Sequence, residues 1–463
     1  MPQPARRAIH RATRHAIPAS SFALLAIALL PAFAADGGTA RESATLKPPP
    51  PGALAEAVEW AHANALPLET VEPGSMHADL QPLKTLIGDA HVIGFGEGMH
   101  HTHEYLAFRN RLFEFLVEEM DVTAIGLETG ATEALAANDY VLGRSEASHA
   151  AYASVFSWAP DEASEESRQL LDWMRAYNQR ATTNRPLQVY GLDLTGGRSG
   201  EFTHARLALD AMLAYVDRVD ADRARSLHAV LDPLRGSFDS RRYPALPGAS
   251  RDSLTGAIAD AIGAFERDQV RWVEASSSFD YQRAYQQAVV ARQLDMGFRC
   301  GPGHDPQSQR DASMARNALA ALQQLGPEAR LMVFSYVGHI RKGPTGTDYT
   351  PFGGYLRELI GNQYFVIGSL FNRGAVGTAG IDEHPVPLSD PSTLNAALRA
   401  GAGRDLFYFD TRRFPASGPL ADWIDRGAPL RNHPFEGRPR QSYDVLVFVD
   451  TSQPLHRLTS RPP

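Results

Sequence analysis

The 463-residue chain contains a single cysteine, Cys300, which excludes an internal disulfide framework and any cysteine-rich zinc or iron–sulfur site. It has no block of basic residues. The 45 Lys plus Arg are outnumbered by 53 Asp plus Glu, for a net charge of −8, so nucleic acid is not expected as a partner. The apolar run Phe22–Phe33 falls well short of the ~20 residues a membrane-spanning helix needs. Neither a Gly-x-Ser-x-Gly nucleophile elbow nor a Gly-rich Lys-Ser/Thr phosphate loop occurs. Serine-hydrolase and nucleotide-dependent chemistry therefore have no visible anchor. What is present is ordinary globular usage, 43% hydrophobic and 21% charged, which excludes wholesale disorder.

At the N-terminus, Arg6, Arg7, Arg11 and Arg14 precede the short apolar run, which ends in Ala32-Phe33-Ala34. This is the layout of a secretory signal. Residues 1–34 are read as a signal peptide, and the mature chain as periplasmic or secreted with no membrane span. Residues 35–52 form a linker ending in Pro48-Pro49-Pro50-Pro51-Gly52, a stiff polyproline stretch.

Folded sequence begins near Ala53. Unbroken apolar runs of strand length recur at 91–95, 122–127, 187–192, 331–334, 364–367, 406–409 and 445–449. Without polar alternation, such runs predict strands buried on both faces. Helical spacing joins the first three, across 103–120 and 165–180. The chain is predicted to be α/β, with a mainly parallel central sheet flanked by helices. Between 200 and 300 the strand signals stop, and the stretch reads as an inserted helical subdomain. The core is thus expected in two parts, 53–199 and 301–463.

Ligands of open α/β sheets bind outside the carboxyl ends of the strands. Glu97, Glu128 and Asp193 each stand at such an end, and His339 follows a fourth run. After the first run comes Gly94-Phe95-Gly96-Glu97-Gly98-Met99-His100-His101-Thr102-His103-Glu104, with three histidines and two glutamates within eight residues. Histidine is the side chain best poised for proton transfer near neutral pH, and a nearby carboxylate supports its charged form. The glycines are expected to let the backbone turn sharply and approach a ligand. The dinucleotide fingerprint fails because Met99 occupies the third glycine position. Metal binding by His100, His101 and His103 stays open as an alternative, although His-Glu-x-x-His is absent. Arg109 falls on the apolar face of its helix, where a guanidinium needs an anionic partner; Glu97 or Glu128 is the expected one.

These segments resemble the erythromycin esterase family from about Ala90 to Leu458. The resemblance rests on Gly96-Glu97-x-x-His100 leading into a helix with Arg109, on Gly126-Leu127-Glu128, and on Ala136-Ala137-Asn138-Asp139-Tyr140-Val141. It continues through Trp173-Met174-Arg175-Ala176-Tyr177-Asn178, Tyr190-Gly191-Leu192-Asp193, Arg310-Asp311-x-x-Met314-Ala315-x-Asn317 and Tyr443-Asp444-Val445-Leu446. The resemblance implies opening of a macrolide lactone ester without a serine nucleophile. It places the general base at His100, with Glu97, Arg109 and Glu128 around it. A second family cluster, His-Asn-x-His, stands here as Tyr336-Val337-Gly338-His339, and His101 replaces a usual glycine. The expected enzyme is a carboxylic ester hydrolase without metal or other cofactor, acting as a monomer on a small-molecule ester or lactone. His100, Glu97, Glu128, Arg109 and His339 are its candidate catalytic residues; Tyr336, His101, His103 and Asp193 are candidates for substrate binding. Two alternatives remain: a non-catalytic metal- or haem-binding protein of the same fold, and a hydrolase of an envelope metabolite inactive on macrolides.

Overall fold

The computed structural model describes residues 48–156, 163–181, 185–196, 202–300, 306–343, 349–377, 383–428 and 438–458. All of them fall within the unit Gly37–Pro463. The expected signal segment, its expected cleavage site and most of the expected linker lie outside the described residues. Among the described residues no helix is long and apolar enough to cross a membrane.

Among the described residues nine strands form one sheet: β1 (Leu66–Pro67), β2 (Val92–Glu97), β3 (Val122–Gly130), β4 (Gln188–Asp193), β5 (Arg330–Tyr336), β6 (Tyr364–Val376), β7 (His384–Val386), β8 (Leu406–Asp410) and β9 (Val445–Ser452). The order is β1-β8-β9-β6-β2-β5-β3-β4, with β7 added to the end of β6. β2 pairs in parallel with β5 and β6, β3 with β4 and β5, and β6 with β9. Only β1, β7 and β8 run antiparallel to their neighbours. The fold is therefore α/β with a mainly parallel sheet, as the unbroken apolar runs predict.

Alternate residues of each central strand feed opposite cores. Ile93, Phe95, Met332 and Phe334 pack on one face, with the helices His103–Met120 and Glu165–Arg180. Val92, Leu331, Val333 and Val366 pack on the other, with Ala53–Asn64, Pro306–Leu325 and Phe352–Ile360. Each large apolar side chain buried this way contributes roughly 1.5–3 kcal/mol. The helix His103–Met120 is buried all round, 16 of its 18 residues being inaccessible. Its buried Arg111 is paired internally, donating to both oxygens of Asp79 at 2.6 and 2.9 Å. That pairing lets a sequence with charged positions pass through the interior.

Between β4 and β5 the chain forms the helices Arg206–Val219, Ala221–Arg235, Gly248–Glu274 and Ser278–Arg299. They enclose a core of their own around Met212, Ile258, Phe265, Trp272 and Leu294. Pro306–Leu325 then returns the chain to the sheet, beginning at its carboxyl edge.

Candidate active site

Glu97 ends β2, and its carboxylate is 2% exposed. The next residues leave the sheet, and His100 comes back over the strand end, with Nδ1 2.6 Å from Glu97 Oε1. The imidazole remains 39% exposed. The carboxylate holds Nδ1 and so fixes the orientation of the ring at the strand end. Desolvation works against the His100 cation. The hydrogen-bonded Glu97 charge, helped by Glu128, overrides it and raises the pKa above its ordinary value.

The glycines of this loop make room for protein rather than ligand. A Cβ at Gly96 would meet Ile340 Cδ1 at 2.7 Å and the Val337 backbone at 2.8 Å. The chain segment carrying His339 can close onto β2 only because position 96 has no side chain.

Glu128 projects from β3 where the strand carries one extra residue against β4, between Leu127 and Gly130. Bulges of this kind re-aim side chains next to active sites. Its Oε2 accepts from Ser335 Oγ at 2.7 Å and from the Tyr336 amide at 2.8 Å. Its Oε1 accepts from Arg310 Nη2 at 2.9 Å and lies 3.4 Å from His339 Nε2. Burial would raise the Glu128 carboxyl, but the charges of His339, Arg310 and His100 hold it well below the usual carboxylate range. Arg310 also grips both oxygens of Asp193, Nε at 2.8 Å and Nη2 at 2.6 Å. Its Nη1 stands 3.3 Å from His339 Nε2.

His339 is 7% exposed. Its Nδ1 lies 2.8 Å from Asp311 Oδ2 and 2.9 Å from the Tyr349 hydroxyl, and Tyr349 also donates to Asp311. Desolvation opposes the imidazolium, yet Asp311 and Glu128 together raise its pKa. Tyr336 stands directly across from Glu97 in the parallel register, its ring 5.0 Å from that of His100. Burial pushes the Tyr336 phenol up, so it stays a neutral hydrogen-bond donor.

Among the expected residues, Glu97, His100, Glu128, Asp193, Tyr336 and His339 thus converge at one edge of the sheet. Three do not join them. Arg109 is fully buried, but it forms no hydrogen bond with Glu97 or Glu128. Its Nε and Nη2 donate to Asn110 Oδ1 at 3.0 and 2.9 Å, and its guanidinium lies over the Phe334 ring at 5.0 Å. Burial pulls it down to about 10 against the pull of Glu97 and Glu166. The expected hydrogen-bonded pair does not form because Asn110 takes Nε and Nη2 of the guanidinium, although the charge of Glu97 still acts on it. His103 turns away from the cluster to Glu166, 2.7 Å, and Glu72, 3.0 Å; desolvation opposes its cation, but these carboxylates push its pKa up to about 9. His101 adopts a left-handed backbone, φ 57°, and its carbonyl accepts from the Leu455 amide at 3.2 Å. Glycine adopts that conformation without strain.

Arg310, Asp311, Ser335 and Tyr349 are the members that sequence reasoning did not assign. The Arg310-Asp311 pair offered one signal, two opposite charges opening a helix that leaves the insertion. Ser335 and Tyr349 offered none.

Residues 117–452 match the erythromycin esterase family. The chain belongs to that family. It is a hydrolase of the esterase type. It is 23% identical over 324 residues to erythromycin esterase type II of Escherichia coli, covering 67% of this chain and 76% of the relative. To erythromycin esterase type I of the same organism it is 21% identical over 297 residues, 61% and 70% of the two chains. Among solved structures it resembles a Bacillus cereus protein at TM-score 0.74 and 22% identity, over 87% and 99% of the two chains. An erythromycin esterase mutant in its open conformation follows at TM-score 0.63 and 18% identity, over 84% and 98%. At these identities the structural likeness establishes the fold of this erythromycin esterase family member.

Proposed function

We propose that the protein hydrolyses a carboxylic ester or lactone by direct attack of water activated at His100. The observation that carries this reading is the His100–Glu97 pair: a 2.6 Å contact between an accessible imidazole and a buried carboxylate. Nε2 takes a proton from water as the oxygen attacks the ester carbonyl, and Glu97 balances the imidazolium that forms. The Tyr336 phenol donates to the developing oxyanion. His339, whose pKa Asp311 and Glu128 raise, supplies the proton that the leaving alcohol oxygen requires. Arg310 fixes Glu128 and Asp193 as one rigid acidic frame. The products are one carboxylic acid and one alcohol, with one water consumed.

Tyr336 and Val337 in place of the family's histidine and asparagine favour an ester other than a macrolide lactone. A phenol donates a hydrogen bond but is a poor base at neutral pH. We further propose export, supported by the basic, apolar and small-residue order of residues 6–34.

A panel of macrolides, lactones and simple esters, scored by mass spectrometry for the gain of one water, tests the reaction. At least one ester is expected to be opened by the parent and by no His100→Ala sample. Turnover by His100→Ala within a few-fold of the parent overturns the mechanism. Cell fractionation with N-terminal mass analysis tests export: a periplasmic chain starting near Ala35 is expected, and a cytoplasmic chain retaining residues 1–34 refutes it.

A further inference from the structure

His103, excluded from the catalytic cluster, belongs to a second constellation. Four separate segments converge on it: His103 opens one long helix, Glu166 lies in the first turn of another, His456 sits on the C-terminal segment, and Glu72 lies on the segment between β1 and β2. One ligating atom from each of His103, Glu166 and His456 lies within 4.8 Å of the others. The Glu166 carboxylate is 1% exposed. Its Oε1 lies 2.7 Å from His103 Nδ1 and 3.2 Å from His456 Nδ1, while its buried Oε2 has no hydrogen-bond partner. The two rings face each other with centroids 4.3 Å apart.

We propose that His103, Glu166 and His456 form a binding site for a zinc-type divalent cation, distinct from the catalytic cluster. Two imidazole nitrogens and one carboxylate are the donor set such ions prefer. Bonds of ~2.0–2.1 Å place neighbouring tetrahedral ligands roughly 3.3 Å apart. The 3.2 Å separation of Glu166 from His456 already has that value. The shorter His103 contact opens by about half an ångström when the metal replaces the shared proton. The unpartnered Oε2 offers a second donor from the same carboxylate. Glu72, 3.0 Å from His103 Nε2, supplies the outer carboxylate that ligating histidines characteristically engage through their other nitrogen. His456, 49% exposed, leaves the site open to ions from solvent.

The backbone shows what such an ion would fasten. The C-terminal segment runs as an extended strip across both helix starts. His103 donates its amide to Gln453 at 2.9 Å, Glu165 donates to His456 at 2.9 Å, and Leu458 donates to Ala163 at 2.9 Å. A bound metal would staple this strip to the fold, so occupancy reads out as stability and protection from exchange, independently of turnover.

The test uses the full chain as purified, stripped with a chelator, then titrated with zinc chloride. Uptake is followed by metal analysis after gel filtration, by thermal melting, and by hydrogen exchange of residues 453–458. One equivalent of zinc is expected, with a raised Tm and slowed exchange in that strip. His456→Ala, at a half-exposed side chain, should keep the fold and weaken zinc binding by at least tenfold; Glu72→Gln should weaken it about tenfold. His100→Ala should retain the full equivalent. The proposal is overturned if the parent retains no zinc, if His456→Ala retains it equally, or if His100→Ala is the variant that loses it.

Discussion

His100 and His103 stand three residues apart, and each holds one ring nitrogen within 2.7 Å of a buried glutamate. Their settings diverge in exposure. The His100 ring lies beside that of Tyr336 with its side chain 39% exposed. His103, 10% exposed, is held between Glu166 and Glu72. An accessible imidazole suits the proton transfer proposed for His100, and an enclosed one suits a fixed structural role.

Four measurements sharpen this contrast. The largest effect is expected from His100→Ala, which should lower kcat by about a thousandfold, as the loss of a general base does, well beyond the stability cost of leaving the buried Glu97 carboxylate without this partner. His103→Asn should show the converse. It leaves the buried Glu166 carboxylate short of its partner and should cost about 2–3 kcal/mol in a denaturant melt, while the acid limb of the turnover profile stays in place. Glu97→Gln removes the main charge that raises the His100 pKa. In the parent, kcat/KM should climb with pH through a pKa above 6.5; in the variant that limb should move to lower pH, with kcat about tenfold lower. Stability runs the other way in the parent. The His100–Glu97 contribution is fully present below pH 6.5 and is lost as pH rises through the raised pKa, so the enzyme gains activity as it gives up that part of its stability. The smallest effect is His101→Gly, which relieves a left-handed backbone at φ 57° and should stabilise the fold by about 0.5–1 kcal/mol.

The same contrast shows what could be read from the chain before its fold was known. Seven apolar runs corresponded to the long strands, because a strand buried on both faces has no room for polar alternation. β1 and β7, two and three residues long, carry too little pattern to register. β6 extends well past its apolar run, since Ser369 and Asn372 are buried through hydrogen bonds to Gly96 and Asp450 rather than through apolar contact. Within the site, Glu97 and His100 were legible because they are close in sequence, and Glu128 and Asp193 because strand ends are where such sheets place ligands. Arg310 was not, because its acidic partners lie 117 and 182 residues away; only tertiary packing selects it over Arg109. Burial on an apolar helix face was the right reading for Arg109, but burial alone does not name a partner.

Glu97 and Tyr336 are register partners on the adjacent parallel strands β2 and β5. Their separation is set by the main-chain ladder, a spacing of ~4.8 Å common to all sheets, and not by any adjustable segment. A one-residue slip of β5 against β2 would therefore carry Tyr336 away from Glu97 and turn its side chain to the opposite face of the sheet.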